Sequence, residues 1–515
     1  MGHTHGADSE VGRLRTVLAH RPGAELLRVT PRTRDRLRFP GQPWLARAQQ
    51  EHDIAAQCLR DHGAEVLYVM ELLQDVMEYP TARAEAIVAV LGAPQLGERL
   101  RADLGSHLAG LDPEDLAHVL VTGLTAEEFR PGRGVVFGLM DRHDFVIPPL
   151  PNLMFLRGTH LWIGGAVALA SLAEPRRREA ALIGSLYRHH PRFAGVACVY
   201  GPEQEPLDAG DLLQLAPGVI AAGIGERTTA AGVERLASRL FGAGLATSVL
   251  AVPLRQLPEG TRLDTACTVI DRDTVLMFPA LGYVLQAHLI TRADDELRLS
   301  RPMPFLEGMA QAMGAEALTV ISTGVEPPAA AQRQWDDGGN ALALDRRLML
   351  CYERNVETNA RLEAAGVGVI RIPGSELGCA RGGPRALSCA VSRDSVAEPA
   401  VAEPVVAEPV VAESAVAVPA VAEPVPAAAP ALTLVSGQGA APETVAAAET
   451  AATAHTIAAV QDVVPPGPAV PPEPAVPLEP AEPAVPLEPA VPLGPAVPLE
   501  PAAAADVPRA AARAR

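Results

Sequence analysis

An α/β body with a helical insert, followed by a long repetitive tail, is the architecture this sequence predicts. Three observations carry it. Short apolar alternations of strand type recur between residues 11 and 389, with helical spacing between them. From Leu72 to about Phe129 the spacing is helical throughout. From Ser395 onward proline returns every few residues, which suits neither element. Periodicity and composition by themselves reach α/β with a helical subdomain and go no further.

In chain order, Val11–His20 alternates like a strand and stops at the turn Arg21-Pro22-Gly23. Ala46 to Gly63 has helical spacing and a glycine stop, and Glu65–Met70 reads as a strand, giving a β-α-β opening. The helical stretch that follows is broken at Tyr79-Pro80, Gly92-Ala-Pro94 and Leu111-Asp-Pro113, which predicts several short helices packed together. After Pro148-Pro149 strands and helices alternate again. Strand-like pieces include Gly218–Gly223, Ala266–Ile270, Val275–Phe278, Ala341–Leu344 and Val367–Ile372. The expected organisation is therefore 1–71 and 148–394 for the α/β body, 72–147 for the insert and 395–515 for the tail.

The tail repeats Val-Ala-Glu-Pro and later Pro-Ala-Val-Pro-Leu-Glu, without one aromatic residue. Such a segment is expected to be polyproline II or disordered. Its Pro-x-x-Pro spacing fits ligands of aromatic-lined modules, but the flanking residue is Glu where such ligands usually carry a basic one. A spacer or solvating tail is the preferred reading, with docking to a protein partner as its rival. Arg509, Arg513 and Arg515 make the final residues basic.

A net charge of −18 argues against non-specific nucleic-acid binding. No run reaches the length of a membrane span, and no charged-then-apolar leader pattern opens the chain, so a cytoplasmic protein is expected. Six cysteines (Cys58, Cys198, Cys267, Cys351, Cys379, Cys389) lack CxxC spacing, so neither a metal site nor a disulfide framework is expected, and no cofactor. His3 and His5 are too few to suggest a metal site.

One stretch invites chemistry: Gly374-Ser-Glu-Leu-Gly-Cys-Ala-Arg-Gly-Gly-Pro-Arg-Ala-Leu-Ser-Cys389, emerging from the strand-like Val367–Ile372. Its glycines permit close approach of backbone to a ligand and its arginines suit an anion. Read alone, it is equally compatible with an ordinary surface loop.

That stretch resembles the carboxy-terminal signature of the arginine deiminases. The likeness extends over Arg47-Ala-Gln-Gln-Glu-His-Asp53, Pro149-Leu-Pro-Asn-Leu-x-Phe-x-Arg157, Gly210-Asp211, Gly223-Ile-Gly-Glu-Arg-Thr228 and Leu263-Asp-Thr265. It continues through Gln334-Trp-Asp-Asp-Gly-x-Asn340 and Tyr352-x-Arg-Asn-x-x-Thr-Asn359, so it covers everything from Val11 to about Asp394. The resemblance implies a pentein fold, a five-fold pseudosymmetric α/β propeller with the site at its centre and the insert on its rim. It also implies a chemistry. A Cys thiolate attacks the guanidinium carbon of arginine, a His protonates the departing ammonia, and carboxylates hold the guanidinium until water releases citrulline.

Carried onto this sequence, most of that machinery is missing. The nucleophile position is Ala386, the acid/base position is Arg262, and one guanidinium-binding Asp position is Gly158. A second carboxylate position is Asp208, shortened from Glu, and only Asp264 is unchanged. The family's acidic pair in the early loop is replaced by Pro40-Gly41 after Phe39. Alanine cannot attack, and arginine cannot shuttle a proton near neutrality. Where such groups act as a unit, losing one costs on the order of 10⁶ in rate. Cys389, or Cys379, could replace the nucleophile, with His288 or His160 as proton donor, although none stands at a family catalytic position.

Substrate-binding positions fare better. Asn152, Phe155, Arg177, Arg227 and Arg381 match the family's pocket, with Arg177 lying in the triplet Arg176-Arg177-Arg178 and its register open by one. Losing an Asp and gaining Arg262 would turn the pocket from guanidinium towards an anion. Alternatively, Asp208 or Asp264 neutralises Arg262 and closes the centre. The reading favoured is a catalytically degenerate family member that binds a small anion or regulates, alone, as a homo-oligomer or with an active paralogue. Its rivals are an active deiminase working through a relocated thiol on an arginine-like ligand, and a scaffold acting through its tail.

Overall fold

The computed structural model describes residues 5–37, 39, 41–174, 176–255, 257, 261–294, 296–324, 338–380 and 382–396. Arg381, residues 334–337 of the Gln334–Asn340 motif and the tail from residue 397 onward lie outside the described residues.

Five sheets of three or more strands share one pattern. In each, one strand has an antiparallel neighbour on one side and a parallel neighbour on the other. Leu14–Ala19 lies between Glu65–Tyr68 (parallel) and Ser388–Arg393 (antiparallel). Ala166–Leu169 lies between His160–Ile163 and Ala197–Tyr200. Val219–Ile224 lies between Leu212–Ala216 and Ser248–Pro253, a sheet extended by Gln286–Ala293 and Glu296–Leu299. Thr274–Met277 joins Cys267–Asp271 to Thr319–Ser322, and Leu348–Tyr352 joins Leu342–Asp345 to Gly368–Ile372.

The pattern follows from the connections. Antiparallel partners need only a hairpin, as at Pro217-Gly218, where glycine takes φ 75°. Parallel partners need a crossover, supplied by the helices Arg177–His189, Ala230–Gly242, Phe305–Met313 and Val356–Ala364. The Ala230–Gly242 helix is capped by Thr229, whose hydroxyl accepts from the Gly232 amide at 3.0 Å. Strand residues on both faces are buried, as in Val219–Gly223 and Cys267–Asp271, because helices cover the sheets.

The insert holds four helices of nine residues or more, Val69–Met77, Pro80–Leu91, Glu98–Gly110 and Pro113–Thr122, and the single turn Val135–Gly138. Two sequence readings change here. The strand read as Glu65–Met70 ends at Tyr68, because Val69, Leu72, Leu73, Val76 and Met77 form one buried helical stripe. Helical structure read to about Phe129 stops at Thr122, where Gly123 adopts φ 79° and admits the main chain of Ile147–Pro149 at close range. Leu124–Thr125 then pairs with Phe145–Ile147. Leu100, Leu104, Leu108, Leu116 and Leu120 bury the insert in one apolar cluster with Trp162, Tyr187 and Phe193. Among the described residues no helix is long and apolar enough to cross a membrane.

Candidate functional site

Loops flanking the strands of three sheets deliver charge to one place. Asp208 caps the single turn Ala209–Asp211, its Oδ1 accepting from the Gly210 amide at 2.9 Å. The Asp208 amide donates to Thr228 Oγ1 at 3.0 Å, and that hydroxyl donates to Asp211 Oδ2 at 2.6 Å. Leu263, in the turn that also carries Arg262 and Asp264, donates its amide to Asp211 Oδ1 at 3.2 Å. Asn340 ties this turn to the Gly/Arg loop: its Nδ2 donates to the Asp264 carbonyl, and its Oδ1 accepts from the Ala386 amide, both at 3.0 Å. Ala386 is buried, and its carbonyl accepts from the Arg157 amide at 3.3 Å, beside Gly158.

Asp208 is wholly buried and surrounded by guanidinium groups. Arg262 Nε lies 3.5 Å from Oδ2, Arg176 Nη1 3.7 Å and Arg227 Nε 3.9 Å. Burial pushes the Asp208 carboxyl up, but these three cations outweigh it and hold it below the usual range. Arg176 also donates to Glu179 at 2.8 Å, one helical turn away. Burial raises the Glu179 carboxyl above its ordinary value, against the pull of Arg176. Asp211 rises to about 7, first from burial and then from the charge of Asp208, with Thr228 and Leu263 opposing. Counted formally, the three guanidinium groups face four carboxylates, those of Asp208, Asp211, Asp264 and Glu179.

Two glycines make this arrangement possible. A Cβ on Gly158 would lie 3.1 Å from Arg176 Nη2, and one on Gly210 would lie 2.6 Å from Arg262 Cδ. The chain's own arginine side chains occupy the space those Cβ atoms would need.

Beside the centre opens a cleft of about 570 Å³, lined among others by Asp211, Arg227, Thr229, Leu254 and Arg255. Arg227 is half-buried and belongs to both cleft and centre. Among the described residues no group of three or more His, Cys, Asp or Glu is arranged to hold a metal ion.

The family model for arginine deiminase matches residues 35–393. Proteins named arginine deiminase from Mycobacterium bovis and Mycobacterium tuberculosis are 48% identical over 400 residues, covering 76% of this chain and 100% of theirs. One from Rhodococcus erythropolis is 47% identical over 394 residues, 76% of this chain and 97% of its own. The chain belongs to the arginine deiminase family. Solved structures similar to it include a DDAH from Pseudomonas aeruginosa, a mutant complexed with citrulline, at TM-score 0.41 and 14% identity, covering 73% of this chain and 99% of that one. An amidinotransferase, SxtG from Microseira wollei, gives TM-score 0.46 and 14% identity over 77% and 99% of the two chains.

Arginine deiminase positions expected from the sequence are distributed as follows. Arg262, Gly158, Asp208, Asp264 and Arg227 meet at the centre, with Ala386 attached through Asn340. Phe155 is buried against Phe39, with ring centroids 6.3 Å apart. Asn152 is buried, its Nδ2 donating to the Leu37 carbonyl at 2.9 Å. Arg177 is corrected: it is exposed and paired with Glu203 at 3.3 Å, because the turn before its helix points Arg176 inward instead. Arg178 is buried elsewhere, donating to the Pro148 and Leu120 carbonyls.

Cys389 is buried in the apolar cluster of the insert, whereas Ala386 packs in a different one. Burial pushes the Cys389 thiol up to about 12, and its Sγ lies 3.3 Å from the His160 carbonyl oxygen. Cys379, half-buried, is pushed up to about 11. His160 is wholly buried and burial holds it down at about 3, while His288 Nδ1 faces the Ser300 carbonyl at 3.1 Å. Sequence reading missed Asp211, Arg176 and Glu179 as members of the centre. The Gly210-Asp211 motif and the Arg176/Glu179 spacing of three were the available signals.

Proposed function

We propose that this arginine deiminase-family chain does not deiminate arginine and holds a small carboxylate-bearing ligand in the cleft beside its centre. The five sheets with their shared strand pattern support reading the body as a five-bladed α/β propeller with that centre on its axis. The observation that carries the functional reading is the fate of the proton-transfer position. Arg262 has no dissociable proton near neutrality and lies in an ion pair with Asp208, while the nucleophile position is the methyl group of Ala386. Arg176 and Arg262 both neutralise the carboxylate that would otherwise receive a substrate guanidinium. Arg227 and Arg255 at the cleft favour an anionic group there.

A relocated thiol fits the geometry poorly. A thiol with its pKa pushed to about 12 inside an apolar cluster is almost entirely protonated near neutrality.

Citrulline formation from L-arginine decides between the readings. The wild-type chain should form none, and Ala386→Cys/Arg262→His/Gly158→Asp should regain slow turnover only once Arg176 is also removed. A carboxylate at 158 would otherwise pair with Arg176. Wild-type citrulline formation that survives repeated purification and disappears in Cys389→Ala would establish the thiol mechanism instead.

A further inference from the structure

A second recess, of about 420 Å³, lies where the insert helix Pro80–Leu91 faces the helix Arg177–His189. Arg178, Ala181, Leu182, Ser185 and Arg188 all line it, a spacing of three and four that puts them on one helical face. Val90, Leu120 and Leu182, buried members of the insert's apolar cluster, form its apolar wall. Its charges do not balance. Glu85 pairs with Arg188 at 2.9 Å and Glu203 with Arg177 at 3.3 Å. Arg178 has no carboxylate in ion-pair reach among the described residues; its Nη1 and Nη2 donate to the Pro148 and Leu120 carbonyls, at 2.8 and 2.5 Å. Burial holds its guanidinium down to about 10, against the pull of Glu174 and Glu179. Ser185 is 3% exposed, and its Oγ has no hydrogen-bond partner among the described residues. A cation without a counter-charge and a buried hydroxyl without a partner thus line one apolar recess, and both are costly left as they are.

We infer that this recess is a ligand site of its own, sharing no lining residue with the cleft at Arg227 and Arg255, and that it takes an amphipathic acid. The carboxylate head lies at Arg178 and the apolar chain runs along Val90, Leu120 and Leu182. A guanidinium has five N–H groups, and the two carbonyls use two, so Arg178 keeps donors for a carboxylate. The chain covers the apolar wall, which contributes in proportion to the area it removes from water. Ser185 stands seven residues along the helix from Arg178, about 10 Å at ~1.5 Å per residue, so it meets the far end of the ligand and not the head. An oxygen carried there completes the unpartnered hydroxyl. A cationic ligand fails, because both carboxylates of the recess are already paired while Arg178 is not.

Titration calorimetry of the full chain with octanoate, acetate and octylammonium tests this. Octanoate should bind at least about ten-fold tighter than acetate, which lacks the chain, and than octylammonium, which has the wrong charge. The ω-hydroxy derivative of octanoate should match octanoate on the wild type and fall behind it on Ser185→Ala. Arg178→Ala should erase the preference for the acid over the ammonium. Because Arg178 also holds two carbonyls, the exposed Ala89 on the facing helix offers variants that spare the fold. Ala89→Glu should weaken octanoate at least about ten-fold, and Ala89→Lys should not. Arg227→Ala should leave octanoate binding unchanged, which separates this site from the cleft. Absence of octanoate binding, equal affinity for octylammonium, or binding that Arg227→Ala removes and Ala89→Glu leaves intact overturns the inference.

Discussion

Asp211 is the residue whose ionisation sets the charge of the centre. Its folded value, about 7, lies above the unfolded reference of 3.8, so between those limits the folded chain holds a proton that the unfolded chain releases. The stability this group contributes is fully present below pH 4 and is lost as pH rises through 7. Asp208 has the opposite sign: its depressed value contributes stability above the ordinary carboxylate range and loses it on acidification. We therefore expect Asp211→Asn to be least stable relative to wild type near pH 4, with the difference closing or reversing by pH 8. Thermal melts of both proteins across that range check it, and a pH-independent difference would refute it. Little of this was legible in the sequence. The Gly210-Asp211 motif was visible, but the shift comes from burial and from the charge of Asp208, and it is opposed by contacts from Thr228, 17 residues away, and Leu263, 52 residues away. Arg177 was misassigned for a similar reason: a triplet of identical side chains does not reveal which one a turn points inward.

At the scale of elements, the site is held in place by a second ionic knot. Glu10 lies just before the strand Leu14–Ala19, its side chain 12% exposed, with Arg385 at 2.8 Å and Arg157 at 3.1 Å. Burial opposes its ionisation, but Arg385, Arg157 and Arg393 together pull it down to about 2. Arg157 immediately precedes Gly158, and Arg385 immediately precedes Ala386, so one carboxylate fixes both loops of the centre. Glu10→Gln leaves buried guanidinium groups uncompensated and should cost about 3–5 kcal/mol of unfolding free energy. Denaturant titration measures it, and a change below about 1 kcal/mol would show that water reaches these arginines. Elements themselves were mostly legible, within a residue or so. Ala266–Ile270 was read for Cys267–Asp271, and Val275–Phe278 for Thr274–Met277. Alternating apolar residues announce a strand, whereas its ends are set by partners such as the pairing of Asp271 with Thr274. The knot was not legible, since three of its members look like any other arginine of an arginine-only chain.

Across the whole molecule, the body closes where its last strand meets its first. Ser388–Arg393 pairs antiparallel with Leu14–Ala19, the Asp394 amide donates to the Arg13 carbonyl at 2.9 Å, and Arg15 forms a paired contact with Asp394. Contacts continue past the boundary expected at 395. Ser395 Oγ bonds to Asp8, and the Val396 carbonyl accepts from Arg272 while its side chain packs on an apolar cluster. Composition could mark where the proline repeat begins, but not how many residues before it the body still uses. Truncation immediately after Val396 should therefore leave the melting temperature unchanged. Truncation after Leu387 removes an entire strand from the sheet carrying the first strand, strips Glu10 of Arg393, and exposes an unpaired edge. That chain should fail to melt cooperatively or should aggregate. If instead the cut after Val396 destabilises the protein, residues beyond it stabilise the body, and the boundary argued from these contacts is wrong.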